Sequence, residues 1–136
     1  MRHKRPHRKR KIASIKQRFS GTRVGATESI FVYMAAALGL SLTTPPEFMN
    51  AVAEGNDPPA SAVVELQDQI AGNQIKVLVY NVQNSTPEVQ DVVARARANQ
   101  IPVVQITETL VPAGATFQAW QAAQLQALLR ALAQQA

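Results

Sequence analysis

Two apolar, β-branched runs of strand length, residues 75–80 (IKVLVY) and 101–106 (IPVVQI), flank one helix-forming segment, and this spacing constrains the fold more than anything else in the chain. Nearly continuous apolar runs of this kind suit parallel strands covered on both faces. Between them, Ser85 and Glu88 have the spacing of a capping box and Pro87 falls in the first turn, so a helix is predicted over 86–99. Parallel neighbours need such a crossover, and the segment reads as a β-α-β unit with a right-handed connection.

The rest of the chain extends that unit. Residues 22–26 are a short strand candidate, and Thr27 is placed to cap a helix over 28–40 (ESIFVYMAAALGL) that is apolar nearly all round and ends at Gly39. A brief strand is expected at 40–43, ahead of Pro45-Pro46. A helix follows over 47–54, stopped by Gly55-Asn56-Asp57, and Pro58-Pro59 opens another over 60–71. The last helix, 117–134, carries Trp120, Leu125, Leu128, Leu129 and Leu132 on one stripe, which predicts that all five pack in the core. At 136 residues and 46% apolar, the chain has room for one domain. The expected fold is α/β: a single lobe with a roughly four-stranded parallel sheet flanked by helices. The apolar stretch 30–40 has about half of the ~20 residues that a membrane-spanning helix needs.

Charge divides the chain. Ten of the fourteen basic residues lie in the first 23 positions, where there is no acid, and from Val24 onward four basic residues face nine acidic ones, a net of −5. Residues 1–11 (MRHKRPHRKRK) are therefore expected to be a basic, disordered arm on a mildly acidic body. Such a run can bind nucleic acid by releasing counterions, which makes a small nucleic-acid-binding protein the alternative reading. The arm lacks interleaved aromatics for base stacking. No apolar core of a secretory signal follows it.

Two threonine-flanked glutamates, Thr27-Glu28-Ser29 and Thr107-Glu108-Thr109, stand where strand-like runs end. In an open parallel sheet that is where ligands collect, so carboxylates arriving there from distant segments can share a cation. Glu28 also has an ordinary explanation, since an acid in a helix's first turn is stabilised by the dipole. Glu108 precedes a loop with Pro and Gly and can equally be a solvated loop acid. Tyr80, Asn81, Gln83, Asn84 and Ser85 form a polar strand-end segment that lines the same crevice or satisfies turn and cap groups. The absence of cysteine excludes thiolate metal sites and cysteine nucleophiles. The body contains no histidine and no Gly-rich phosphate loop, and catalysis is not expected.

The segments GTRVGATESIFVYMAAALGL, TPPEFMNAVAEG, KVLVYNVQNSTPEVQ and IPVVQITETLVPAGATFQAWQ resemble the carboxy-terminal lobe of the solute-binding proteins that serve zinc and manganese ABC importers. The resemblance covers about residues 12–134. It implies that 12–20 end the helix linking two lobes and that 21–136 form one metal-binding lobe. It implies Glu28 and Glu108 as that lobe's two metal ligands, with Glu108 where Asp is commoner. A divalent ion, zinc or manganese, would be the transported ligand, weakly bound by this half-site, and an importer permease the partner. It also implies an extracytoplasmic location, although no export signal is readable. The family's amino-terminal lobe, with its two histidine ligands, has no counterpart here, and His3 and His7 are not given that role. A truncated or re-initiated frame is expected, with self-association plausible through the surface that would face the other lobe.

Overall fold

Four strands, β1 (Arg23–Ala26), β2 (Ser41–Leu42), β3 (Leu78–Asn81) and β4 (Val103–Ile106), pair in parallel in the order β2-β1-β3-β4. They belong to a computed structural model that describes residues 13, 15–27, 29–81, 86–106 and 117–134, with residues 30 and 117–122 described by their backbone alone. A short helix α1 (residues 15–19) leads into β1, and a 3-10 turn (Ser29–Phe31) followed by α2 (Val32–Leu38) joins β1 to β2. Helices α3 (Pro46–Ala53) and α4 (Ala60–Ala71) carry the chain back to β3, α5 (Pro87–Ala98) joins β3 to β4, and α6 (Phe117–Gln134) closes the fold. The expected four-stranded parallel lobe is the one observed.

Right-handed crossovers explain how the helices divide. From β1 the chain moves one way along the sheet to β2, then returns across β1 to β3 and on to β4, so keeping one hand requires a change of face. One core cluster accordingly joins Ile15, Phe31, Leu38, Leu125, Leu128 and Leu132 to Val24, Val79 and Val104. These side chains come from α1, α2 and α6. The other joins Phe48, Leu66, Ile70, Val89, Val92 and Ala96 to Leu78 and Ile101, from α3, α4 and α5.

Local chemistry accounts for most of the boundaries. Gly39, at φ 73°, closes α2 in a Schellman arrangement, with Leu40 N–H donating to Ala35 O at 3.0 Å and Gly39 N–H to Ala36 O at 3.2 Å. Pro46 and Pro87 each sit at a helix's first turn, where no N–H is needed. Gly25 sits in a tight layer: a Cβ there would lie 2.8 Å from Ile75 Cδ1, which would have to swing aside, and 3.3 Å from Thr44 Oγ1.

Three expectations need correction. The strand predicted at 75–80 is regular only from Leu78, because the ladder is uneven before it: Lys76 N–H reaches Arg23 O, while Gly25 N–H takes Val77 O. The helix predicted over 28–40 begins as a 3-10 turn, and α2 has Phe31 at its N-cap with no side-chain hydrogen bond. Thr27 therefore does not cap it. The cap of α5 is Thr86, whose Oγ1 accepts from Val89 N–H at 3.3 Å, rather than Ser85. The basic arm, residues 1–11, lies outside the described residues, as do Ser85 and the Trp120 side chain. Among the described residues no helix is long and apolar enough to cross a membrane.

Candidate metal cleft at the carboxyl ends of the strands

The strand order creates one topological switch point, between β1 and β3. After β1 the chain turns toward β2, and after β3 it turns toward β4, so the two exits diverge and leave a crevice at the carboxyl ends of the central strands. Thr27 follows β1, with its N–H on Val79 O at 3.0 Å, and Asn81 and Ile106 end β3 and β4 at one level of the ladder. Since only β3 separates β1 from β4, their ends lie about 10 Å apart, two strand spacings.

The polar groups at this end are unequally satisfied. The hydroxyl of Thr44 has a partner: where β2 stops, its Oγ1 accepts Ala26 N–H at 2.8 Å and continues the ladder with a side chain. Behind it Gln69 of α4, only 8% exposed, donates from Nε2 to Thr43 O at 2.9 Å and accepts the Thr43 hydroxyl at 3.0 Å. This clamp ties the short β2 to α4. Thr27, 1% exposed, differs from both, because its Oγ1 has no hydrogen-bond partner among the described residues. A buried hydroxyl left unpaired costs ~1–3 kcal/mol, which invites a water or a bound ligand. Asn81, also 1% exposed, stands at the end of the neighbouring strand and is partnered.

Glu28 directly follows Thr27, and Glu108 follows Ile106 by two residues. Both glutamates lie outside the described residues, together with Gln83, Asn84 and Ser85 of the polar segment. Among the described residues no three acidic or imidazole side chains converge. Charge nevertheless sorts along the strand axis. Glu47 and Glu88 occupy the first turns of α3 and α5, at the carboxyl end of the sheet, and Arg95 and Arg97 the last turn of α5, at the amino end. Near the crevice, α2 presents Tyr33, 85% exposed, beside a groove of about 650 Å³ lined by Val32, Leu42, Pro45 and Met49. Sequence reasoning missed the Thr43–Gln69 clamp and the role of Thr44, whose contacts span 18 to 26 residues.

Comparison with known proteins gives one family and a set of folds. Residues 7–131 match the sequence model of a family described as zinc-uptake complex component A, periplasmic. Among solved structures, the laminin-binding protein Lbp of Streptococcus pyogenes superposes with a TM-score of 0.65 at 16% identity, over 93% of this chain and 46% of that one. The solute-binding protein FpvC of Pseudomonas aeruginosa in complex with Mn2+ gives 0.62 at 17% identity, over 96% and 49%. A Zn(II)-bound mutant variant of AdcAII from Streptococcus pneumoniae gives 0.66 at 11% identity, over 93% and 44%. This chain thus spans a little under half the length of each. Identities this low establish a shared fold and nothing finer. Among curated proteins none matches the chain at a significant level.

Proposed function

The chain belongs to the family of periplasmic component A proteins of zinc-uptake complexes, and from that premise we propose that it is a metal-binding lobe that brings Glu28 and Glu108 to one divalent cation. The observation that carries this reading is the switch point. β1 and β4 end on either side of β3, and Glu28 and Glu108 each follow one of these strands by two residues, which supports the two carboxylates sharing a cation. The buried Thr27 hydroxyl, adjacent to Glu28 and unpartnered within the fold, supports it as a group able to hold a water of the ion's hydration shell.

The chemistry of the pair sets limits. Two carboxylates supply two oxygen ligands and two negative charges, and water completes the sphere, so binding is weak, on the order of 10⁻⁴–10⁻³ M. A closed four-coordinate zinc site needs ligands beyond these, from a second lobe on the same polypeptide or another chain. Taken alone, an all-oxygen set favours manganese over zinc. The role is capture and delivery of the ion to an importer permease on the extracytoplasmic side, without chemical conversion of it.

Isothermal titration with manganese and zinc tests the reading. Saturable binding should be present in the wild type, reduced at least tenfold in Glu28→Gln or Glu108→Gln, and undetectable in the double variant. Binding unchanged in the double variant would contradict it.

A further inference from the structure

We propose a second binding site, at the opposite end of the sheet: a pocket in which Arg23 and Lys76 hold a small oxyanion, a phosphate or carboxylate, that carries a short apolar chain. The pocket has a volume of about 310 Å³ and is lined by Arg23 and Lys76 together with Thr22, Gln74, Phe19 and Leu132. It opens at the amino ends of β1 and β3. The two cations are brought together by the backbone, since Lys76 N–H donates to Arg23 O at 2.8 Å across the two central strands.

Like charges placed side by side across a ladder are destabilising unless something neutralises them. Among the described residues neither cation has an acidic partner, the one ion pair being Arg95 with Asp91. The nearest compensation is the carboxyl end of α6, whose last turn contains Leu132 and brings about half an elementary negative charge against two positive ones. Among the described residues the two cations, both exposed to solvent, therefore outweigh this dipole over a concave surface. The hydroxyl of Thr22 and the amide of Gln74 add polar partners, while Phe19 and Leu132 belong to the core and give the pocket an apolar wall. A purely inorganic anion would use only the polar part of this lining. An alkyl phosphate or short-chain carboxylate uses both parts, with its head on the fork of Arg23 and its tail against Phe19.

The test is a titration of the full chain with butyl phosphate, and separately with inorganic phosphate, at constant ionic strength, followed by amide NMR. Saturable shifts are expected at Thr22, Arg23, Gln74 and Lys76, with butyl phosphate the tighter ligand. Arg23→Gln or Lys76→Gln should each weaken it about tenfold, the loss of roughly one charge-assisted hydrogen bond, while Lys16→Gln, an exposed charge outside the pocket, should leave it unchanged. Sedimentation with phosphatidic acid vesicles that is lost in the Arg23→Gln, Lys76→Gln double variant would assign the phosphate to a lipid headgroup. Saturable butyl phosphate binding without vesicle binding would assign it to a free metabolite. Shifts that never saturate, equal affinity for the two phosphates, or equal loss in Lys16→Gln would overturn the proposal.

Discussion

At the amino ends of the strands, Thr22 N–H donates to Phe19 O at 2.9 Å and closes a turn, while Gly21 N–H to Gly39 O at 2.7 Å and Ser41 N–H to Thr22 O at 2.8 Å tie the entry of β1 to that of β2. At the carboxyl ends a side chain, Thr44, must finish the ladder of β1, and the hydroxyl of Thr27, equally buried, is left with no partner. The amino end keeps its backbone groups paired and carries the cations Arg23 and Lys76. At the carboxyl end one described hydroxyl is left over, and Glu28 and Glu108 follow the strands in sequence. The contrast separates two kinds of buried hydroxyl at one end of the sheet: those of Thr43 and Thr44 are used by the fold, while that of Thr27, beside the switch point, is left over among the described residues.

Substitutions can break or sharpen this contrast, and the largest effect is expected at the clamp. Gln69→Leu removes both bonds to Thr43 and leaves the Thr43 carbonyl without this partner, while the hydroxyl keeps only the longer contact to Val24 O at 3.4 Å, so urea unfolding should report a loss of ~2–3 kcal/mol. Thr44→Val, nearly isosteric, strands the buried Ala26 N–H and should cost ~1–3 kcal/mol in the same measurement. Gly25→Ala should cost ~1–3 kcal/mol, because the new methyl meets Ile75, Leu78 and Thr44 in a close-packed layer. Thr27→Val, chemically the same change as at Thr44, should leave metal-free stability unchanged or raised by up to ~1 kcal/mol, since no bond within the fold is lost. A loss comparable to that of Thr44→Val would show the Thr27 hydroxyl to be paired within the protein, and the contrast would fail. At the amino-end side, Asp91→Asn removes an ion pair that is half exposed on α5 and should change stability by less than ~0.5 kcal/mol.

Much of the fold is legible in the sequence where local pattern and global packing agree. The apolar run before Asn81, the Pro87 start of α5 and the leucine stripe of α6 need no distant information, and Leu125, Leu128 and Leu132 are buried where helical spacing puts them. Adjacent hydroxyls defeat it: Ser85 and Thr86 are both adequate caps by type, and the one that accepts Val89 N–H from an extended backbone is Thr86. At Thr27 the sequence offers a cap, yet the chain enters a 3-10 turn instead and the hydroxyl is left over. The Thr43–Gln69 clamp is invisible beforehand because its partners are 26 residues apart and neither residue type announces burial. For the cleft, alternating elements predict a parallel sheet but not the order β2-β1-β3-β4, which depends on pairings between distant segments. Glu28 and Glu108 lie outside the described residues.

The central claim is that a divalent cation binds at the carboxyl ends of β1, β3 and β4. Paramagnetic broadening of amide signals by substoichiometric Mn2+ locates such an ion directly. The expected result is loss of the Thr27, Asn81 and Ile106 signals while those of Arg23, Lys76 and Ile101 persist, and recovery of all three in the Glu28→Gln, Glu108→Gln double variant. Broadening centred instead on the exposed acids Glu54, Asp57 and Asp68, or unaltered in the double variant, would contradict the account.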